Sequence, residues 1–541
     1  MAEPRSGHAS DQPIAGEADE SQASNPKAVA LMATAVILVI RLWLVRTVTF
    51  CGTPDSCSYL ALGESLSRHR GFVENFLYQY QMVDVRLPQH GIEYWRPGTS
   101  FLFLLAQPFG GVTLHSSLVI TVLAGLLMAA AAWRIAANVF EDRRVACLAY
   151  LLCLVLPPVW GSAITPDSSI FYGAAVAWFL ALFRVDFRSY GEDALAFVCL
   201  VAVNLIRNDA VLLVVPLVVV LWMRRRNGSE RDADNGRGRS WTYCAGALAA
   251  FGLAMVPMMA VSRAVLGAAR GSHIAESLYL TDLSELLFYG QPVTLQTALG
   301  HGIKRLLMLR ISTTAMIAYR FVFLMCGFAA VLLPGIASLV PARRKRLMSE
   351  VAGPAAFWLT VVAAYGLGLP AIGQFSALRS FTGVLPATAA AMAAGVAGYC
   401  VSARAARALG WSVVAFLTIA GVMAARRGLD TTNEDGAQAR AVAKYLQGHG
   451  ADRVRGSLVM TSDAAQFAET TGYAAVPVPS NGMAGTLAAV RDLHPTYVVV
   501  KLDPESDYAE SIVAALKPVS AEHVTGTKML VLTLAPAGAL R

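Results

Sequence analysis

The sequence predicts a polytopic α-helical membrane protein that ends in a small α/β domain, and three observations predict it. Of its 541 residues 56% are hydrophobic and only 15% are charged, a balance set by long apolar segments. Those segments recur at membrane length, separated by short loops in which the arginines gather. Beyond Gly428 the pattern changes to short apolar runs alternating with helical periodicity, as strands alternating with helices require. The formal charge of +8 is therefore topological, and nucleic acid is not an expected partner. Eight cysteines are scattered, mostly inside apolar runs, without Cys/His ligand spacing, which argues against a structural zinc.

Residues 1–26 are polar, rich in Ala, Ser and Glu, and lack a basic start before an apolar run. They read as a disordered cytoplasmic tail rather than a signal peptide. The membrane domain is expected over 27–426, with its first span at 28–48, where Arg41 is an internal charge, and a first external loop at 49–97. The apolar piece 98–109 is too short to cross alone and reads as re-entrant or interfacial. Spans follow at 114–137, 145–160 and 168–183. Arg134, Arg143 and Arg144 lie in one connection, no Lys or Arg in 161–167, and Arg184 and Arg188 in the next, an alternation that puts the N-terminus in the cytoplasm.

The segment 194–222 is long for one span and is interrupted by Arg207, Asn208 and Asp209, while its far end runs into Arg224, Arg225, Arg226, Arg231, Arg237 and Arg239. It reads as two short helices meeting at Arg207, a break tolerated where it lines a cavity. Further spans at 242–266, 313–339, 351–369, 382–402 and 408–425 keep Arg343 to Arg346, Arg404 and Arg407 inside. The parity gives about 11 membrane helices and an external C-terminus, in a plasma (inner) membrane protein with an outside loop at 267–312. In the external domain, 427–541, helices are expected at 437–448, 464–471, 486–493 and 508–516, and strands at 457–460, 474–478, 497–501 and 529–534, forming a mainly parallel sheet. The domain carries no GxGxxG, P-loop or nucleophile elbow and reads either as a recognition or lid domain or as a brace.

The chemistry concentrates in a few charged groups near the bilayer. Thr53-Pro54-Asp55 is a helix start, with Thr as N-cap, Pro in the first turn and an acid at the positive end of the dipole. In the helix that follows, Tyr59, Leu60, Leu62 and Leu66 form one apolar face, so it is expected to lie flat at the membrane surface. The tetrapeptide Thr-Pro-Asp-Ser recurs at 165–168; its plain reading is helix-start grammar. Yet Asp55 and Asp167, with Arg96, Arg207 and Arg379, would share one face, and charges at membrane depth mark substrate paths. Arginines hold phosphate by paired hydrogen bonds, and an acid can take a proton from an incoming hydroxyl. Each arginine alone equally suits a snorkelling or structural side chain. Cys51 and Cys57 flank Asp55 and stand either as two free thiols or, in an oxidising compartment, as a pair.

The order of these elements resembles the GT-C glycosyltransferases, polytopic enzymes related to protein O-mannosyltransferases and to aminoarabinose transferases of lipid A. The residues that carry the resemblance are Pro54-Asp55-Ser56 with Tyr59, Ala61 and Gly71-Phe72, then Arg96-Pro97-Gly98, Thr165-Pro166-Asp167 and Arg207-Asn208-Asp209. They continue in Arg379 to Pro386 and in Met460-Thr461-Ser462-Asp463 with Gly472-Tyr473 and Pro477. The resemblance implies a GT-C-like fold and an inverting transfer of sugar from a polyprenyl-phosphate donor to a lipid, glycan or protein acceptor at the outer face. It assigns catalytic roles to Asp55 and Asp167 and phosphate binding to Arg207 and Arg379, beside Arg96. No second acid adjoins Asp55, and Arg96 stands where the family has Pro. Some relatives use a metal, and Asp55 and Asp167 with a phosphate would hold Mg²⁺ or Mn²⁺. The competing readings are a transporter or flippase of an anionic lipid or solute, and a non-catalytic membrane scaffold.

Overall fold

A computed structural model describes residues 25–81, 85–226, 241–267, 277–322, 332, 334–400, 402–452, 456–502 and 507–535. The expected N-terminal tail, Arg231, Arg237 and Arg239, and the middle of the expected span 313–339 lie outside the described residues. Among those described, six helices are each long and apolar enough to cross a membrane. The other expected spans are shorter segments packed among them.

The first helix, α1 (Pro26–Thr47), starts on Asn25 and Pro26 as N-cap and first residue and buries Ala30, Thr34, Ile37, Arg41, Leu44 and Val45. That spacing is one helical stripe, and the opposite side leaves Leu31 and Val39 exposed. Arg41 is fully buried; its Nη2 donates to the carbonyl of Leu154, and its guanidinium lies 4.9 Å from the centre of the Trp160 ring. The cause is local: Leu154 would normally accept from residue 158, which is proline and has no N–H. The internal charge of the first span thus serves the break between α5 (Arg143–Val155) and α6 (Pro157–Gly161).

The helix after the first span, α2 (Pro54–Ser67), has the expected Thr53 cap, with the Ser56 N–H donating to Thr53 Oγ1 at 3.3 Å. It does not lie flat at the surface. Polar and apolar side chains alike are buried, from Asp55 and Ser56 to Tyr59, Leu62 and Ser65. No single buried stripe results, because the polar side is covered by the C-terminal domain instead of water. Next come a two-strand ribbon, β1 (Val73–Glu74) with β2 (Gln89–His90), and α3 (Gly98–Phe103). A Cβ on Gly98 would meet the Leu205 carbonyl at 2.6 Å, so glycine lets α3 press against the end of α8 (Tyr190–Ile206). Between them run α4 (Leu114–Val139) and α7 (Ser168–Leu182).

The break expected in 194–222 is present: α8 ends on Arg207 with extended backbone, a 3₁₀ turn spans Asn208–Leu213, and α9 (Val214–Arg226) follows. Helix Pro341–Ala363 takes Arg343, Arg344, Lys345 and Arg346 into its first turns, so these basic residues are helical rather than in a loop. The expected span 382–402 is preceded by a helix Pro370–Ser380 and a 3₁₀ turn Phe381–Val384 before its own helix Leu385–Tyr399.

No boundary separates the last span from a domain helix at 437–448, because Ala403–Gly448 is one continuous helix of 46 residues. Its end covers one face of a five-stranded sheet through Val442 and Leu446, beside Val459 and Val499. The other face, with Met460, Val498 and Val500, is covered by helices Gly482–Leu493 and Tyr508–Leu516. Strands buried on both sides read as continuous apolar runs. The order is β4 (Ala474–Pro477), β3 (Leu458–Thr461), β5 (Tyr497–Lys501), β7 (Met529–Thr533), β6 (Ser520–His523). Pairing is parallel among β4, β3 and β5 but antiparallel from β5 to β7 to β6, which corrects the mainly parallel expectation. Ser-Ala-Glu-His, an exposed edge strand, has no apolar alternation to announce it. The first loop extends the opposite edge: Leu77 N–H donates to Ala475 O at 3.0 Å and Ala475 N–H to Asn75 O at 3.1 Å.

Candidate active site

Two helix starts and one helix end build the site. Asp55 is the second residue of α2, 4% exposed. Cys51 and Cys57 are joined by a disulfide that spans this turn, so the pair, not the two free thiols, is present. Asp167 is the N-cap of α7, its Oδ1 accepting from the Ser169 N–H at 2.9 Å and from the Ser169 hydroxyl at 2.9 Å. The same tetrapeptide therefore works in two registers, with Thr53 capping the first helix and Asp167 the second. The two turns touch: Gly52, at φ +89, would bring a Cβ within 2.8 Å of Thr165 Cγ2, and glycine suits both the left-handed backbone and the close approach.

Arg379, in the last turn of helix Pro370–Ser380, joins the two acids. Its Nη1 pairs with Asp55 Oδ2, and its Nε lies 3.4 Å from Asp167 Oδ2. Asp55 Oδ1 accepts from the Tyr78 hydroxyl at 2.8 Å. Burial holds the Tyr78 phenol protonated, well above its usual value, so it stays a donor.

Asp55, Arg96, Arg207 and Arg379 line one cavity of about 450 Å³. Asp167 lies on the other side of Arg379, in a smaller cavity of about 200 Å³ beside Thr165 and Thr382. Arg207, at the helix break, gives its Nε to both oxygens of Asp209, at 3.2 and 3.1 Å, and its guanidinium lies 5.4 Å from the centre of the Tyr172 ring. Asp209 also accepts from the Ser380 hydroxyl. Arg96 Nε donates to Asn208 Oδ1, and among the described residues no carboxylate pairs with it. Burial lowers Arg96 to about 10, still cationic at neutral pH. The larger cavity thus presents three guanidiniums against the carboxylates of Asp55 and Asp209, an excess of positive charge suited to a phosphate.

An aromatic wall, which the charge pattern of the sequence does not announce, completes the cavity. Tyr78 stacks on Tyr94 with centroids 5.0 Å apart, and Trp95 packs edge-on to both at 5.1 and 4.4 Å. All three line the cavity. Their signal was Tyr94 and Trp95 directly before Arg96, aromatic residues concentrated in an otherwise polar loop. Asp209 in the break is the partner of Arg207 and Ser380, a role its sequence position alone does not show.

The two acids suggested for Mg²⁺ or Mn²⁺ do not form a divalent site as arranged. Such an ion takes about six oxygen ligands, and the guanidinium of Arg379 already bridges the two carboxylates. Among the described residues no three His, Cys, Asp or Glu side chains gather as a ligand group.

No protein-family model matches the chain, and no curated protein matches it by sequence. Solved structures do share its fold. ArnT from Cupriavidus metallidurans bound to undecaprenyl phosphate matches with a TM-score of 0.60 at 12% identity, over 94% of this chain and 99% of that one. Its apo state matches with a TM-score of 0.60 at 12% identity, over 95% and 98%. AglB, the archaeal oligosaccharyltransferase of Archaeoglobus fulgidus, in complex with an inhibitory peptide and a dolichol-phosphate, gives 0.49 at 12% identity over 92% and 73%. The chain has the GT-C fold of a multi-pass membrane protein.

Proposed function

We propose that the chain is an inverting glycosyltransferase that moves a sugar from a polyprenyl-phosphate donor to an acceptor at the outer face of the membrane. The observation that carries this reading is the meeting of Asp55, Tyr78 and Arg379 at the wall of an arginine-lined cavity. The likeness to ArnT bound to undecaprenyl phosphate supports the donor class. In the reaction an acceptor hydroxyl or amine attacks the anomeric carbon, the bond from that carbon to the phosphate oxygen breaks, and the polyprenyl phosphate leaves with the electron pair. Asp55 takes the proton of the nucleophile. Arg96 and Arg379 stabilise the leaving phosphate, and Arg207, partly neutralised by Asp209, sets the floor of its site. Phosphate binding draws Arg379 from Asp55 alone, which frees Asp55 to act only when donor is present. Asp167 holds Arg379 from the other side. The aromatic wall of Tyr78, Tyr94 and Trp95 offers a surface for the sugar ring. No step needs a divalent ion.

The outer-face assignment rests on the arginine-rich connections at the far ends of the spans and on the Cys51–Cys57 disulfide, a bond of oxidising compartments. On this reading the N-terminus is cytoplasmic and the C-terminal domain external.

Purified protein in proteoliposomes, given radiolabelled polyprenyl-phosphate sugars and cell-envelope acceptors, tests the reading. Asp55→Asn should lower transfer about 100-fold or more while donor binding persists. Undiminished transfer by that variant, or solute movement that needs no sugar donor, would sink the reading; the latter points to a carrier, for which the helix break at Arg207 also has precedent.

A further inference from the structure

The far membrane face carries a second built cavity, of about 320 Å³, that the proposed reaction does not use. Four helices have their ends there: α1 at Pro26, α5 at its Asp142 cap, and helices Pro341–Ala363 and Ala403–Gly448 at their first turns. Asp55 follows the other end of α1, and 22 residues of helix span about 33 Å, roughly the hydrocarbon thickness of a bilayer. The cavity therefore lies at the opposite interface from the candidate active site.

Its lining is divided by chemistry. Arg144, Arg343 and Arg407 come from three different helices, while Val29, Leu151 and Val396 form an apolar wall that ends at the half-exposed indole of Trp411. One acid, Asp142, is present, but its Oδ1 accepts from the Arg144 backbone N–H at 2.8 Å and caps α5. Ion pairs among the described residues engage neighbouring arginines, such as Arg134 with Glu192 and Arg184 with Glu350, and leave Arg144 and Arg343 out. The helix N-termini add partial positive charge. Beside the wall, α1 turns Leu31 and Met32 outward at 70% and 63% exposure, a surface for lipid chains in a membrane protein.

We propose that this cavity binds one anionic membrane phospholipid, its phosphate held between Arg144, Arg343 and Arg407 and its acyl chain laid along the apolar wall. Guanidiniums pair with phosphate oxygens through two parallel N–H donors, and basic pockets between membrane helices hold anionic headgroups in this way. The arginines alone would serve topology; the apolar wall beside them fits an amphiphile with one charged end. The inference rests on the membrane reading and not on sugar transfer.

Native mass spectrometry and thermal unfolding of the full chain test it, with phosphatidylglycerol, phosphatidylcholine of the same chain length and inorganic phosphate as separate additions. Phosphatidylglycerol should stay bound through delipidation and raise the unfolding midpoint, and phosphatidylcholine should do neither. The double variant Arg144→Gln/Arg343→Gln should hold phosphatidylglycerol about thirtyfold more weakly, since each basic residue near an anionic lipid contributes about 1 kcal/mol. Arg344→Gln, one residue along the same helix and outside the cavity, should retain it. Equal retention of both lipids, or undiminished retention by the double variant, overturns the proposal. A midpoint shift from inorganic phosphate as large as that from the lipid also overturns it, in favour of a phosphate-bearing solute.

Discussion

Asp55 depends on its neighbours for its chemistry. A buried carboxylate needs hydrogen bonds or a counter-charge, and Asp55 has both, from Tyr78 and Arg379. In the proposed reaction Tyr78 positions Asp55, because its hydroxyl donates to the carboxylate. Tyr78→Phe keeps the ring and removes the donor; a hydrogen bond to a charged group is worth about 1.5–3 kcal/mol. The variant should lower kcat at least about tenfold with the donor KM little changed, as steady-state kinetics would show. Arg379 predicts a second outcome. With a guanidinium between the acids in place of an ion, EDTA should leave the transfer rate unchanged, and a loss restored by Mg²⁺ or Mn²⁺ would contradict the proposed chemistry.

Among the elements, the first loop is the one whose structure the sequence announced least. It holds Tyr78, Tyr94, Trp95 and Arg96, and it is ordered by the C-terminal domain, with Phe76 and Leu77 entering opposite faces of the sheet as an added strand would. In this packing the C-terminal domain braces the loop that shapes the cavity. Glu74 at the start of this strand is buried, accepts from the Ser58 hydroxyl at 2.7 Å and is pushed up to about 8 by burial. Glu469 of the C-terminal domain is likewise raised to about 8, by burial and by the nearby acids Glu64 and Glu74. A carboxyl raised on folding contributes its stability below its unfolded pKa, near 4.3, and loses it as pH rises through the folded value. The unfolding midpoint should therefore fall between about pH 5 and pH 8. Glu74→Gln should flatten that dependence and raise the midpoint at pH 8, read by thermal unfolding across the range.

For the whole molecule, orientation is the consequence that the proposed chemistry makes testable. A cysteine introduced at Arg70, an exposed residue just after α2, should be labelled by a membrane-impermeant maleimide applied from outside. Labelling from the cytoplasmic side alone would reverse the topology. The two ends of the membrane domain differ in kind. At the far end, Arg184 pairs with Glu350, and Arg224 with Asp193, both buried. Some of the arginines read as topological signals are thus also internal struts joining the helices. At the near end, charges face a cavity and are only partly compensated, as a ligand site requires.

Hydrophobic length, arginine spacing and the change of pattern after Gly428 carried the membrane class, the break at Arg207 and most strands of the last domain, because these are local properties of the chain. The residues Asp55, Asp167, Arg96, Arg207 and Arg379 were also visible, since charge beside apolar segments stands out in one dimension. Their division between two cavities, the shared guanidinium of Arg379 and the Tyr78 hydroxyl on Asp55 were not. These are contacts across 23 to more than 300 positions, and folding, not spacing, brings such groups together. The burial of α2 was hidden for the same reason: an amphipathic pattern records which face avoids water without recording whether a neighbouring domain covers the other.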